Sequence, residues 1–403
     1  MSDTIENVLI LQGGGSLGAF GCGVYKALAN NKIKIDIVAG TSIGGLNASI
    51  IAGSKEDHPE KALEQYWLEL AEGTTDLNFP FREWIAGSPS SLTARPSPTT
   101  PTALTTSLSP DSETLKRILQ VKSTISFYSS AIYGNRKVFV PRWSPEFAFT
   151  DPQYFTPYKW THMYDHSPLV NTAEKYIDYK KLRPKGRPNS RLMITAVNVL
   201  TAEPLIFDSA TQQITSNHLL AATGYPSYYF QWVEVEKGVY AWDGSLLSNT
   251  PLREVIDASP VRDKRVFLVE NYPKKCEMLP DSLSEVQHRA RDIMFSDKTL
   301  HNIRMSKAIT FYLRLINDLY KMLEDNFDSP KREDKENFEK IRARYKKATE
   351  KHGAEIKDVY YIIRSEQFPS LYENADFSVT TIKDLIREGE LRTNQKLKDI
   401  KKS

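Results

Sequence analysis

Residues 35–53 read IDIVAGTSIGGLNASIIAG. An apolar strand (Ile35, Ile37, Val38, Ala39) runs into Gly40-Thr41-Ser42-Ile43-Gly44, and an apolar helix follows. Gly-x-Ser-x-Gly between a strand and a helix predicts a sharp turn with the serine at its apex, a nucleophile elbow. Gly40 and Gly44 stand where side chains would collide. The sharpness of the turn lifts the Ser42 hydroxyl above the sheet. The following helix aims its N-terminus at the same spot, where free N–H groups and the helix dipole favour negative charge. Taken alone, the pattern also fits an ordinary strand-to-helix turn with a capping serine.

Upstream, residues 7–11 read as a first strand. Gly13-Gly14-Gly15-Ser16-Leu17-Gly18 follows and opens a helix from about Ala19 to Asn30. Strand, glycine loop, helix, strand, sharp turn, helix is an α/β alternation that predicts a parallel sheet covered on both faces. In such a sheet the carboxyl ends of neighbouring strands share one edge, where ligands bind. Gly13, Gly14 and Gly15 would therefore lie beside Ser42, with backbone N–H groups free to turn toward a forming oxyanion. Far downstream, Asp243-Gly244 closes a late strand. A carboxylate there could take the Ser42 proton, provided burial raises its basicity.

Three other readings compete. Gly13, Gly15 and Gly18 also fit the Gly-x-Gly-x-x-Gly dinucleotide pattern with Asp36 downstream. Asp36, however, starts the second strand, whereas a ribose-binding acid belongs at its end. The order Ser42, Asp243, then His288, His301 or His352 matches a hydrolase triad, but these histidines fall in a charged helical tail. His162 and His166 flank Asp165 in a Pro-flanked loop, which lacks the helix geometry that would converge them on a metal.

The chain has 403 residues, 40% of them hydrophobic and 11% aromatic, which suits a sizeable core. A net charge of +3 is too small to argue for nucleic acid. Cys22 and Cys276 give no disulfide framework. The acidic start MSDTIEN and the short apolar run after it do not make a signal peptide. No apolar run of about 18 residues would span a membrane. These features make a cytoplasmic protein the expectation.

A further helix is expected over Glu60–Glu72. Residues 87–110 are Ser/Thr/Pro-rich with a single charge, Arg95, and read as a surface insertion or a lid. Phe127 to Tyr164 is rich in aromatic residues and prolines, as around a cleft. Strands are expected over Arg191–Val199, in a hairpin with Glu203–Phe207, over a hairpin within Val233–Trp242, and over Lys264–Val269. A short helix is expected over Asn217–Ala222. Beyond residue 273 the sequence turns to charged helical patterns, with 27 Lys/Arg and 23 Asp/Glu from Lys274 onward. Thr299–Leu323 keeps an apolar stripe (Ile303, Ala308, Phe311, Leu313, Leu315, Leu319), and Val359–Ile363 could form a strand. A boundary near 273 would divide the chain into domains 1–273 and 274–403.

Taken together, the glycine run with Gly18, the Gly40–Gly44 elbow, and Asp243-Gly244 with its trailing Asn249-x-Pro251 resemble the patatin-like phospholipase family in order and spacing. The match covers roughly residues 7–270. The charged helical region resembles the extra C-terminal domain of a bacterial subgroup. The resemblance implies a three-layer α/β/α sandwich with a mostly parallel sheet, and hydrolysis of lipid acyl esters without metal or cofactor. It implies Ser42 as nucleophile, Asp243 as general base, and an oxyanion hole around Gly14, Gly15 and Ser16. The implied partner is a lipid or fatty-acyl ester, met at a membrane surface or taken up singly; nucleic acid is not expected, and no oligomeric state follows. Two positions depart from the family pattern: Leu17 stands where many members carry Arg or Lys, and Ser245 replaces the second glycine of Asp-Gly-Gly. A scaffold or lipid-binding protein that keeps the fold with weak or no turnover is the alternative.

Overall fold

The computed structural model describes residues 5–73, 128–260, 262–276, 279–296, 299–327, 332–352, 355–365 and 372–402. The 87–110 segment lies outside the described residues.

A mostly parallel sheet forms the centre. Its first strand, β1 (Glu6–Leu11), pairs in parallel with β2 (Ile37–Thr41), and β2 pairs in parallel with β5 (Arg191–Asn198). Two two-residue strands, β3 (Val140–Pro141) and β4 (Tyr164–Asp165), pair apart from this sheet. Antiparallel β6 (Pro204–Asp208) and β8 (Val239–Asp243) both join β5, and β7 (Val233–Glu236) pairs with β8. On the other side β9 (Lys264–Glu270) is parallel to β1, and β10 (Ile356–Ile363) is parallel to β9.

The strands are apolar on both faces because both faces are covered. In β1, Leu9 and Leu11 enter one core while Val8 and Ile10 enter the other. The first core is closed by α1 (Gly18–Asn30), α2 (Ile43–Gly53), α3 (Pro59–Glu72) and a C-terminal helix, α10 (Val379–Lys402). The second is closed by α6 (Leu252–Ala258) and by Ile303 of α8 (Thr299–Asp325). Short α4 (Ser167–Ala173) and α5 (Ser216–Thr223) also flank the first face, and α7 (Leu283–Phe295) and α9 (Arg332–His352) lie further along the chain. The result is the three-layer α/β/α sandwich.

The chain beyond residue 273 is not a separate layer. It supplies the edge strand β10 and the helix α10, which crosses α1 at glycine-to-glycine distance. A Cβ on Gly23 would lie 1.9 Å from the Ile386 carbonyl oxygen, and one on Gly389 would lie 2.2 Å from that of Phe20. A division at 273 thus marks a change in surface charge, because α10 buries a single apolar stripe (Ile382, Ile386, Leu397) under a charged exterior. The apolar stripe expected on α8 is also mostly outward: Ile303 is buried, while Phe311, Leu315 and Leu319 are exposed.

Candidate active site

The elbow forms because two glycines leave no alternative path. A Cβ on Gly40 would lie 2.2 Å from the backbone of Gly44, and one on Gly44 would lie 2.2 Å from the Leu11 carbonyl oxygen. Between them Ser42 adopts φ 56°, ψ −131°, a conformation that costs a non-glycine residue about 1–3 kcal/mol. Ser42 is half-buried at the head of α2, whose first N–H groups, on Ile43 and Gly44, have no acceptor among the described residues.

Asp243 reaches the same point through strand register. Along β5, Thr195 faces Thr41 and the next residue, Ala196, faces Asp243, so the ends of β2 and β8 arrive one step apart. Asp243 is fully buried. Its Oδ1 accepts from Ser245 N (2.8 Å) and Ser245 Oγ (2.7 Å). The serine that replaces the family's second glycine therefore helps to fix the carboxylate. Oδ2 has no partner at hydrogen-bonding distance, while Ser42 still favours the charged form from nearby. The Ser42–Asp243 pair is thus adjacent but not closed, which is common for such groups before substrate binds. Burial pushes the Asp243 carboxyl up from 3.8 to about 6, against the opposing effects of the nearby Ser42 hydroxyl and of the Ser245 hydrogen bonds.

The glycine loop is held beside them from two sides. Gly13 N donates to Asn249 Oδ1 (3.0 Å), and Asn271 Nδ2 donates to the carbonyls of Gln12 (3.2 Å) and Gly13 (3.1 Å). A Cβ on Gly13 would come within 2.9 Å of the Ser42 Cβ, which places the loop directly against the elbow. The Gly13 N–H, expected among the oxyanion donors, is therefore occupied by the Asn249 carboxamide. The N–H groups of Gly14, Gly15 and Ser16 have no acceptor among the described residues. Gly14 and Gly15 take φ 154° and 58°, backbone states that turn these groups away from strand pairing. Leu17 is buried in the first core, so its side chain brings no cation to the loop.

Sequence reasoning missed a strap over this loop. The short turn Glu373–Ala375 lies against it: Ser16 Oγ donates to the Glu373 carbonyl (2.7 Å), and a Cβ on Gly15 would lie 2.2 Å from the Asn374 carbonyl oxygen. Arg291 and Arg364 grip the Glu373 carboxylate at 2.7 and 2.9 Å, and His288 stands 3.5 Å away. Burial alone would raise the Glu373 carboxyl; Arg364, His288 and Arg291 together hold it well below the usual range. His288, Asp292 and Glu373 offer ligand atoms within 4.8 Å of one another. Arg291 already binds both carboxylates, so the cluster reads as an ion-pair network rather than a metal site. His288, one of the three triad candidates, is engaged there. The side chains of His301 and His352 lie outside the described residues.

The remaining candidates fall away from this point. His166 is buried with Nε2 on the Leu220 carbonyl (2.8 Å), and burial lowers its pKa to about 4. It joins no metal-ligating cluster with His162 among the described residues. Asp36 accepts from Asn7 N (2.9 Å) at the start of β2, far from the end where a ribose would need it.

A sheet of this topology, with a strained serine at the carboxyl end of its second strand and a glycine loop against it, defines an α/β protein of the serine-elbow class. The chain belongs to the patatin-like phospholipase family: the family model of that description matches residues 9–256. Human patatin-like phospholipase domain-containing protein 6 is 32% identical over 84 residues, which is 20% of this chain and 6% of that protein. Rat patatin-like phospholipase domain-containing protein 7 is 30% identical over the same shares. The match thus spans a small fraction of these relatives' length. Among solved structures, VipD from Legionella pneumophila aligns over 98% of this chain and 67% of its own at 13% identity and a TM-score of 0.35. A chain of the full-length SpcU–ExoU complex from the Pseudomonas aeruginosa type III secretion system aligns over 71% and 47%, at 16% identity and a TM-score of 0.25. At these scores neither likeness bears on the site.

Proposed function

We propose that this protein hydrolyses carboxylic esters of lipids through a Ser42–Asp243 dyad and a covalent acyl-enzyme, as a phospholipase A, a lysophospholipase or a related esterase. The observation that carries the reading is the buried Asp243 beside the strained Ser42, with its carboxyl raised to about 6. A base of that strength is charged at neutral pH yet can still accept a proton in the transition state.

In this reading Ser42 Oγ attacks the ester carbonyl carbon as its proton passes to the free Oδ2 of Asp243. The oxyanion is stabilised by the N–H groups of Gly14, Gly15 and Ser16, and the head of α2 adds its dipole. Collapse breaks the bond to the alcohol, which leaves with the proton held by Asp243. Water then gives a proton to Asp243 and attacks the acyl-Ser42 carbonyl. Release of the fatty acid returns the proton to Ser42. Asn249 and Ser245 act by position: one holds Gly13, the other holds the Asp243 carboxylate.

No described helix is long and apolar enough to cross a membrane. Peripheral contact with a lipid surface on the cytoplasmic side is part of the same reading. The test is hydrolysis of nitrophenyl esters of increasing acyl length by the wild type and by Ser42→Ala. Turnover that disappears in the variant supports the reading, and equal turnover in both removes the elbow from the chemistry. A folded wild type with no turnover would favour the scaffold alternative.

A further inference from the structure

Between Trp143 and Trp160 the chain forms an irregular tip around two short proline-led turns, at 145–148 and 157–159. Several of its polar groups bond within the tip itself. Arg142 pairs with Asp151 (2.5 Å) and lies over the Trp160 ring at 5.0 Å. Trp160 Nε1 donates to the Gln153 carbonyl (2.8 Å), and Tyr154 Oη donates to that of Trp143 (3.0 Å). Yet Phe149, Tyr158 and Phe155 are 95%, 81% and 79% exposed. A tip that spends its hydrogen bonds inward and turns large rings outward offers apolar area to something other than water.

The tip is joined to the site by packed rings. Trp143 meets Tyr164 at 5.4 Å, Tyr164 meets Phe230 at 6.4 Å, and Phe230 meets Tyr228 at 6.4 Å. Tyr228 Oη accepts a hydrogen bond from Asn374, whose carbonyl rests on Gly15. The charges left on the tip's surface, Glu146 and Lys159, cancel, since Asp151 is taken by Arg142. The Lys159 ammonium itself lies over the Tyr158 ring, 5.9 Å from its centroid, so the one cation of the tip sits beside an exposed aromatic face. Exposed aromatic rings with a lysine ammonium beside them and no net charge suit the headgroup zone of a bilayer.

We infer that the 143–160 tip seats the protein on a lipid surface, Phe149, Phe155 and Tyr158 entering the interface beside the mouth of the Ser42 site. This rests on the lipid-ester reading above and adds where the protein meets its substrate. Because the tip is neutral, zwitterionic lipid suffices and salt has little effect. The exposed face of α8 is apolar too, but it belongs to the opposite layer, and nothing there shows what covers it.

The experiment is co-sedimentation of the full-length Ser42→Ala protein with phosphatidylcholine vesicles at low and high salt. It is compared with the same protein carrying Phe149→Ser, Phe155→Ser and Tyr158→Ser. A control carries Phe311→Ser, Leu315→Ser and Leu319→Ser on α8. Because these side chains are exposed, circular dichroism should be unchanged in both sets. The inference expects vesicle binding that survives salt, falls about tenfold or more in the tip variant, and persists in the α8 control. No binding by the parent, equal binding by the tip variant, or loss in the α8 control instead would overturn it. So would binding only to anionic vesicles at low salt, or a tip that captures a protein and not vesicles. Ser42→Ala needs no turnover, so this outcome is independent of whether soluble esters are hydrolysed. On a soluble short-chain ester, the tip substitutions placed in the wild-type chain should leave kcat/KM unchanged.

Discussion

The carbonyl oxygen of Asn374 rests on Gly15 so closely that a Cβ there would lie only 2.2 Å away. A residue near the end of the chain thus sets the backbone beside a serine near its beginning. The Glu373 carboxylate anchors that contact through Arg291 and Arg364. Replacing Glu373 by Gln removes the carboxylate that Arg291 and Arg364 share, though Arg291 keeps Asp292 and Arg364 keeps the Asn271 carbonyl; breaking such a buried pair costs up to about 3–5 kcal/mol. The expected result is a large fall in Tm, with kcat on a soluble ester falling while KM changes little, because the freed strap no longer fixes the Gly15 N–H. Unchanged kcat in a folded E373Q protein would remove the strap from the site.

Asp243 makes a prediction that couples activity to stability. Its carboxyl is raised in the folded protein from 3.8 to about 6, so between those values the native state binds more protons than the unfolded chain. Stability from this group is present below about pH 4 and is lost as pH rises through 6. At pH 7 the charged buried carboxylate opposes folding by roughly 2–3 kcal/mol, at 1.36 kcal/mol per pKa unit. Asp243→Asn should therefore abolish ester turnover and yet stabilise the protein at pH 7, with the gain vanishing near pH 4. Denaturant unfolding at the two pH values measures it. In the wild type, kcat/KM should rise as pH passes about 6 and then level off.

Backbone strain at Ser42 gives a second gain in stability at the expense of function. Glycine tolerates φ 56° freely. Ser42→Gly should raise stability by about 1 kcal/mol or more and remove turnover, whereas Ser42→Ala should remove turnover and keep the strain. Equal Tm values for S42G and S42A would mean that the elbow stores no strain.

A chain ending at residue 273 should not fold. It would expose the edge of β9, where β10 now pairs, and would uncover the face of α1 that α10 crosses at Gly23. Expression of residues 1–273 should give insoluble or molten protein. A soluble, cooperatively unfolding fragment would instead support a domain boundary at 273.

The central α/β pattern was legible, and the three motifs stood out, because each is local. Glycine spacing around Ser42 reports the steric limits of one turn, and buried strands advertise themselves as apolar runs. That Asp243 lies near Ser42 could only be suggested from the sequence, by its place at the end of a late strand and by family order, since their meeting depends on the register of a third strand, β5. The strap was not legible: Glu373 and Asn374 sit in a stretch where charge signals solvent, and their burial depends on Arg291 and Arg364, also far along the chain. Gly389 was hidden in the same way, as a lone glycine in a charged helix whose role appears only when α10 meets α1. The occupied N–H of Gly13 follows from a side-chain contact with Asn249, which spacing alone does not reveal.

The identity of the acylated residue tests the Ser42–Asp243 mechanism most directly. Incubating the protein with a slowly hydrolysed nitrophenyl ester, followed by acid quench and peptide mass spectrometry, would locate the acyl group. The account predicts a single acyl adduct on the peptide that contains Ser42, formed faster as pH rises through about 6 and absent from Asp243→Asn. An adduct on another residue, or none in a folded protein that turns the ester over, would contradict it.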